Sequence, residues 1–227
     1  MNKILAQINF SIAESLSAKN PIGSEIGQEI LRKSSQLIER DGIDLFTFKK
    51  LAIEMGSTES TIYRYFGNKH QLLLYLSSWY WNLLEVKLAF MTSNVNNPTE
   101  RLDLALQFLG HPIDELSATS FLDERVLHQI VVRDSTKSIN ALGMSTKKNL
   151  EYLDAYVNLI KRLSEIIHKV NPRYKFPNAL SISLLETSHY QNHLQSILPG
   201  VSDLDMSPKN TYRFLHQLAF TALENNA

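Results

Sequence analysis

The spacing of apolar residues constrains this chain more than any other feature. Ile4, Ile8, Ile12 and Leu16, joined by Leu5, recur every four positions, and Ile26, Ile30, Leu31, Leu37 and Ile38 fall on one face of the next segment. Steps of three and four put side chains on one side of a 3.6-residue helix, whereas a half-buried strand needs strict alternation. Clear alternating runs are missing throughout. Eight glycines and seven prolines in 227 residues also leave little material for tight hairpins. The expected fold class is all-α.

Turn and capping signals cut the chain into pieces. Residues 19–23 read as a break, and Ser24 as the N-cap of a helix that Gly42 stops. Short helices are expected over 47–55, ended by Gly56, and over 59–66, ended by Gly67 and Asn68. A long apolar helix begins at Lys69 and reaches roughly 91. Further helices are expected near 99–110, 121–134, 146–170, 178–197 and 209–224, divided by Pro98, Pro112, Gly143, Pro172, Pro177, Pro199 and Pro208. The stretches 94–98 and 143–146 read as exposed connectors. The expected domains are a helical extension over 1–23, a three-helix unit over 24–68, and a larger all-helical unit over 69–227.

Composition removes several function classes. The 23 Lys+Arg balance 23 Asp+Glu, so a uniformly basic coat is excluded and any nucleic-acid contact must come from a local patch. Cys is absent, which excludes disulfides, thiolate zinc sites, iron–sulfur clusters and thiol catalysis. No G-x-G-x-x-G or G-x-x-x-x-G-K-[ST] phosphate loop occurs. The longest apolar run, 72–76, is five residues, far short of a membrane span. Gln7 and Asn9 interrupt the first apolar stretch, which makes a poor signal peptide, so a cytoplasmic protein without membrane contact is expected.

The segment with the most chemistry is Leu51-Ala52-Ile53-Glu54-Met55-Gly56-Ser57-Thr58-Glu59-Ser60-Thr61-Ile62. Small Ala52 allows two helices to approach, Gly56 supplies the left-handed turn, and the Thr58 hydroxyl is placed to cap the second helix. Leu51, Ile62 and Phe66 point inward. Thr61, Tyr63, Arg64 and Tyr65 are left for the outside, all of them hydrogen-bond donors. This is a helix-turn-helix pattern.

With Ile30, Leu37, Ile38, Gly42, Thr47, Phe48, the run Tyr63-Arg64-Tyr65-Phe66-Gly67-Asn68-Lys69, and Leu72-Leu73, the segment resembles the tetracycline-repressor (TetR) family of bacterial transcription regulators. The resemblance covers about residues 24 to 73. It implies that 59–66 is a recognition helix for the major groove of double-stranded DNA. It also implies that Thr47, Tyr63, Tyr65 and Lys69 hold phosphates, and that Thr58, Glu59, Ser60, Thr61 and Arg64 lie toward bases or the groove wall. The chemistry agrees: Arg grips guanine O6 and N7, Ser and Thr are permissive, and Lys neutralises phosphate.

Two departures stand out. Ser57 occupies a position where the family carries a buried aliphatic residue, which should loosen the turn. Glu59 either accepts from cytosine N4 or repels the duplex. Residues 24–70 carry seven cations (32, 33, 40, 49, 50, 64, 69) and seven acids (25, 29, 39, 41, 44, 54, 59). Non-specific affinity should therefore be modest, with specificity resting on a homodimer and a matched operator.

Elsewhere the sequence leaves alternatives open. Trp79, Phe90, Tyr152 and Tyr156 either line a cavity for a small, largely apolar effector or pack in the core, and His128 is either a polar group in such a cavity or a surface residue. Leu184, Leu185, His189, Tyr212, Leu215 and Leu218 lie on apolar or polar faces of the last two helices. In the family, the corresponding helices pair with a second copy; the alternative is burial within one subunit. His189 and His193 share a metal-compatible spacing, but no Glu follows His189 to complete H-E-x-x-H. Asp123 with Glu124, and Asp203 with Asp205, lack a nearby nucleophile, metal shell or oxyanion-hole motif. No catalytic residue, metal or cofactor is expected. A ligand-responsive repressor is the first reading. An all-α protein–protein adaptor that keeps the helix-turn-helix as a scaffold is the second.

Overall fold

The computed structural model describes residues 16–110, 122–141, 153–204 and 207–224; Ile4, Ile8, Ile12, Tyr152 and the 143–146 connector lie outside them. Among the described residues there are nine α-helices and no strand. They are α1 (Glu25–Leu45), α2 (Phe48–Glu54), α3 (Glu59–Tyr63), α4 (Lys69–Thr92), α5 (Pro98–Gly110), α6 (Glu124–Ala141), α7 (Asp154–Val170), α8 (Pro177–Ile197) and α9 (Pro208–Glu224). None is long and apolar enough to cross a membrane.

Several boundaries correct the expected ones. The helices start on Pro98, Pro177 and Pro208 rather than one residue later, because a first-turn proline loses no hydrogen bond and has a helical φ. The helix expected to end at 134 continues to Ala141, with no breaker before Gly143. The helix expected over 59–66 ends at Tyr63: the Tyr65 N–H reaches back only to the Ile62 carbonyl, 2.9 Å away, and this three-residue step tightens the last turn.

Contacts divide the chain into two compact units. The first comprises Met1–Asn82 and Ile113–Asp154, the second Leu83–Pro112 and Ala155–Ala227. In the first unit, Ser24 caps α1 by accepting from the Gly27 N–H at 3.2 Å, and α1 buries Ile30, Leu31, Leu37 and Ile38. Gly42, at φ 77°, breaks the helical path of α1. Helix α6 packs on α1 and reaches two carbonyls just before that break. The Arg133 guanidinium donates to the Glu39 carbonyl at 2.9 Å, to the Ile38 carbonyl, and to the buried Asp134 carboxylate at 2.7 Å. The stretch from Leu72 to Trp81 on α4 is buried all round, as an interior helix requires.

In the second unit α9 packs on α5 and α8, and α5 also meets α8. Leu102, Ala105, Leu106, Leu159, Leu163, Ile167, Leu184, Leu185, Leu215 and Ala219 form its interior. A close approach of α5 and α9 occurs at Gly110. A methyl group there would stand 2.7 Å from the Tyr212 backbone, so only glycine admits α9 at this distance. Arg162 on α7 donates to Glu85 near the end of α4 at 2.7 Å.

Candidate nucleic-acid interface

Helices α2 and α3 pack together, joined by a turn in which Gly56 has φ 60°. Any side chain at that φ is strained, so the turn between the two helices requires glycine. Thr47 caps α2, its hydroxyl accepting from the Lys50 N–H at 3.2 Å. Leu51, Ala52, Ile62 and Phe66 are buried, which fixes α3 against the unit's core. The opposite side of α3 is open: Glu59, Ser60, Tyr63 and Arg64 are exposed, and Thr61 is half-buried. The Tyr63 ring stacks edge-on against Phe48 with centroids 5.0 Å apart while keeping 52% of its surface exposed. Its hydroxyl is thereby carried on a braced ring. Ile53 and Leu45 are also exposed on this unit.

Four expectations need correction. Tyr65 is not on the outside: it is buried, and its hydroxyl lies 2.8 Å from that of Ser24. That bond ties the end of the recognition segment to the start of α1, and it lowers the tyrosine pKa. Thr58 has the extended backbone of an N-cap, but its hydroxyl meets the Thr61 hydroxyl at 3.2 Å instead of a backbone amide. Ser57 is exposed, so it replaces no buried side chain and opens no hole in the turn. Lys69 does not offer a free point charge, since its ammonium donates to the carbonyls of Ile43 at 2.8 Å, Asp44 at 3.2 Å and Phe46 at 3.4 Å.

The expected effector residues have separate fates. Trp79 and His128 belong to the first unit, Phe90 and Tyr156 to the second. Trp79 is buried, and the half-buried His128 takes its Nδ1 to 2.9 Å from the hydroxyl of Tyr80, the fully buried residue next to Trp79 on the aromatic stretch of α4. Phe90 is 54% exposed and lines no interior. Tyr156 donates to Glu186 on α8 at 2.7 Å. An open groove between α5 and α9 is lined by Thr99, Glu100, Asp103, Leu104, His216 and Phe220, none of them expected from sequence.

The expected pairing residues are largely consumed within the chain. Leu184, Leu185 and Leu215 are fully buried, and His189 is buried with Nδ1 2.9 Å from the Leu185 carbonyl. The alternative of burial within one subunit is the correct one for these four. Tyr212 and Leu218 are half-buried, Tyr212 donating to Asp103 at 2.5 Å. The outward faces of α8 and α9 carry Ile182, Tyr190, Ile197 and Phe214 instead. Sequence spacing defined the stripes, but not which of two stripes a single copy would cover.

Residues 30–76 match the model of bacterial regulatory proteins, tetR family. No curated protein matches the chain. Among solved structures, a tetR-family regulatory protein from Rhodococcus RHA1 superposes with a TM-score of 0.64 at 13% identity, covering 88% of this chain and 97% of that one. A TetR-family transcriptional regulator from Bordetella parapertussis 12822 gives 0.61 at 16% identity, covering 89% and 97%. AibR, solved with isovaleryl coenzyme A and operator DNA, gives 0.58 at 15% identity, covering 86% and 97%. Residues 30–76, with their buried Leu51, Ile62 and Phe66 and their outward Tyr63 and Arg64, belong to the tetR family of bacterial regulatory proteins, and the chain as a whole has the fold of that family's solved regulators.

Proposed function

We propose that the chain is a transcription regulator that places α3 in the major groove of double-stranded DNA. The observation that carries this reading is the open side of α3, where Glu59, Ser60, Tyr63 and Arg64 are exposed on a helix whose other side is locked into the core. Donors and acceptors on a rigid helix are what base-edge readout requires. Tyr63 within this row, and Thr47 at the start of α2, are the groups suited to phosphate oxygens.

One five-residue helix reads too few bases for useful specificity, so the working form is a homodimer on a pseudo-palindromic operator. Its half-sites would lie about 34–36 Å apart, one helical turn, or a multiple of that. The pairing surface is assigned to the apolar residues that α8 and α9 leave uncovered, Ile182, Tyr190 and Phe214. A small, largely apolar effector would release the operator by favouring one of two dimer shapes. The solved relatives support that part by analogy: AibR was solved with isovaleryl coenzyme A and operator DNA, and a regulator from Saccharomonospora viridis with choline. Repression is the mode this mechanism favours.

The test is a binding selection from random double-stranded oligonucleotides with the purified full chain, followed by titration of candidate effectors against the enriched site. An enriched inverted repeat, bound by two copies and released by an effector, is the expected result. If no sequence is enriched, the adaptor reading takes its place.

A further inference from the structure

The nine residues before α1 are not used by the reading above, yet they are fastened to the recognition segment at several points. Leu16 is buried, and the Ala18 N–H donates to the Tyr65 carbonyl at 2.8 Å. The Lys19 ammonium stands 5.3 Å from the centre of the Tyr65 ring, within cation–π range. Pro21 is buried and presses on Gly27, where a methyl group would come within 2.2 Å of the Pro21 carbonyl oxygen. Gln28 donates back to the Ile22 carbonyl at 2.8 Å, and Ser24 meets the Tyr65 hydroxyl.

These contacts fix the path of the segment, so Lys19 is a held cation and not a wandering one. Lys19 is nonetheless exposed, as is Arg64 at the C-terminal end of α3. Lys19 stands over the Tyr65 ring and Arg64 is the residue immediately before Tyr65, so the two cations flank the same tyrosine; behind the Ser24 hydrogen bond, both also contribute to lowering its pKa. Lys69, the cation the sequence pointed to, is meanwhile occupied with α1 carbonyls.

We propose that residues 16–24 are part of the nucleic-acid interface, and that Lys19 and Arg64 together form a phosphate-binding pair beside Tyr65 at the end of the recognition helix. This rests on the regulator reading and adds to it a backbone contact from outside the helix-turn-helix. A DNA phosphate oxygen between two exposed cations releases condensed counterions, and the contact is blind to base sequence.

The experiment compares wild type, Lys19→Ala and Lys19→Arg as full-length proteins. Affinity for the selected operator duplex and for a scrambled duplex is measured from about 50 to 300 mM salt, beside thermal melts. The expected result is a several-fold loss in Lys19→Ala, equal for both duplexes. The slope of log K against log salt should fall by about one per bound copy. Lys19→Arg should restore both, and the melts should coincide. An unchanged slope in Lys19→Ala while the wild type binds normally would overturn this inference alone. A loss confined to the operator, or one that tracks a lower melting temperature, would also overturn it. A wild type that binds neither duplex would remove the regulator reading as well.

Discussion

The Lys69 ammonium lies 2.8 Å from the carbonyl oxygen of Ile43, joining the first residue of α4 to the chain just past the Gly42 break in α1. Carbonyls stranded at a helix end need donors, and a lysine with three N–H groups supplies several at once. In the DNA-free protein this lysine is a brace between two helices.

Replacing Lys69 with Ala should therefore cost stability before it costs DNA affinity. Hydrogen bonds from a charged donor contribute about 1.5–3 kcal/mol, and part of the Lys69 group is exposed, so a loss of about 1–2 kcal/mol is expected. Urea unfolding would report it as a lower midpoint at constant slope. The salt dependence of operator binding should stay close to wild type. An unaltered midpoint with a slope reduced by one per bound copy would return Lys69 to the phosphate role that the sequence implies.

Gly110 offers a prediction whose sign depends on one contact. Gly110 is the last residue of α5, so the propensity gain from Gly→Ala is at most the roughly 1 kcal/mol of a helix interior. Here the added methyl would stand 2.7 Å from the Cα and N of Tyr212, backbone that cannot rotate away. Forcing α5 and α9 apart typically costs about 1–3 kcal/mol, which outweighs the propensity gain. Gly110→Ala should lower the melting temperature by a few degrees, and a rise would mean that α9 sits farther off than described.

The helix-turn-helix was legible because its signals are local. Gly56 needs only its own φ, Thr47 caps the helix it precedes, and Leu51, Ile62 and Phe66 carry the period that buries them. The bonds that Tyr65 and Lys69 make within the fold are not legible there, because their partners, Ser24 and Ile43, lie 41 and 26 residues away. No spacing rule reveals such pairs. The same holds for Arg133, which reaches back 94 residues to Glu39. On α8 the difficulty was of another kind: both the stripe with Leu184 and Leu185 and the stripe with Ile182 and Tyr190 are partly apolar, and periodicity does not rank them.

His189 should make the second unit sensitive to acid. It is buried, and burial holds its pKa below the ordinary 6.5, although the Leu185 carbonyl and Glu186 act in the opposite direction. Below pH 6.5 the unfolded chain takes up a proton on this residue that the folded chain refuses. Stability is therefore complete above that pH and falls as the solution is acidified toward the lower folded pKa. One such group contributes a slope of at most about 1.4 kcal/mol per pH unit. Unfolding free energies measured from pH 7.5 to 5 should decline less steeply in His189→Gln than in the wild type. Parallel curves would exclude His189 as the source.

Arg64 and Glu59 stand exposed at opposite ends of α3, and their removal should leave different marks on DNA recognition. If Arg64 holds a guanine edge, Arg64→Ala should cost about 1–3 kcal/mol at one base pair of each half-site and relax the preference there. If it serves phosphate, as the pairing with Lys19 requires, the loss is equal on every sequence and the salt slope falls by about one per bound copy. The phosphate outcome is expected, and it should be non-additive with Lys19→Ala because the two share one site. Glu59 is half of the same comparison. A carboxylate accepting from cytosine N4 is lost at the cost of operator affinity alone, whereas one that only repels the backbone gives tighter binding to all duplexes when removed. With its carboxylate in the first turn of a helix end that already attracts negative charge, Glu59 competes with phosphate for that end. Glu59→Ala is accordingly expected to raise affinity for operator and scrambled duplex alike, and a selective loss on the operator would assign it to base readout.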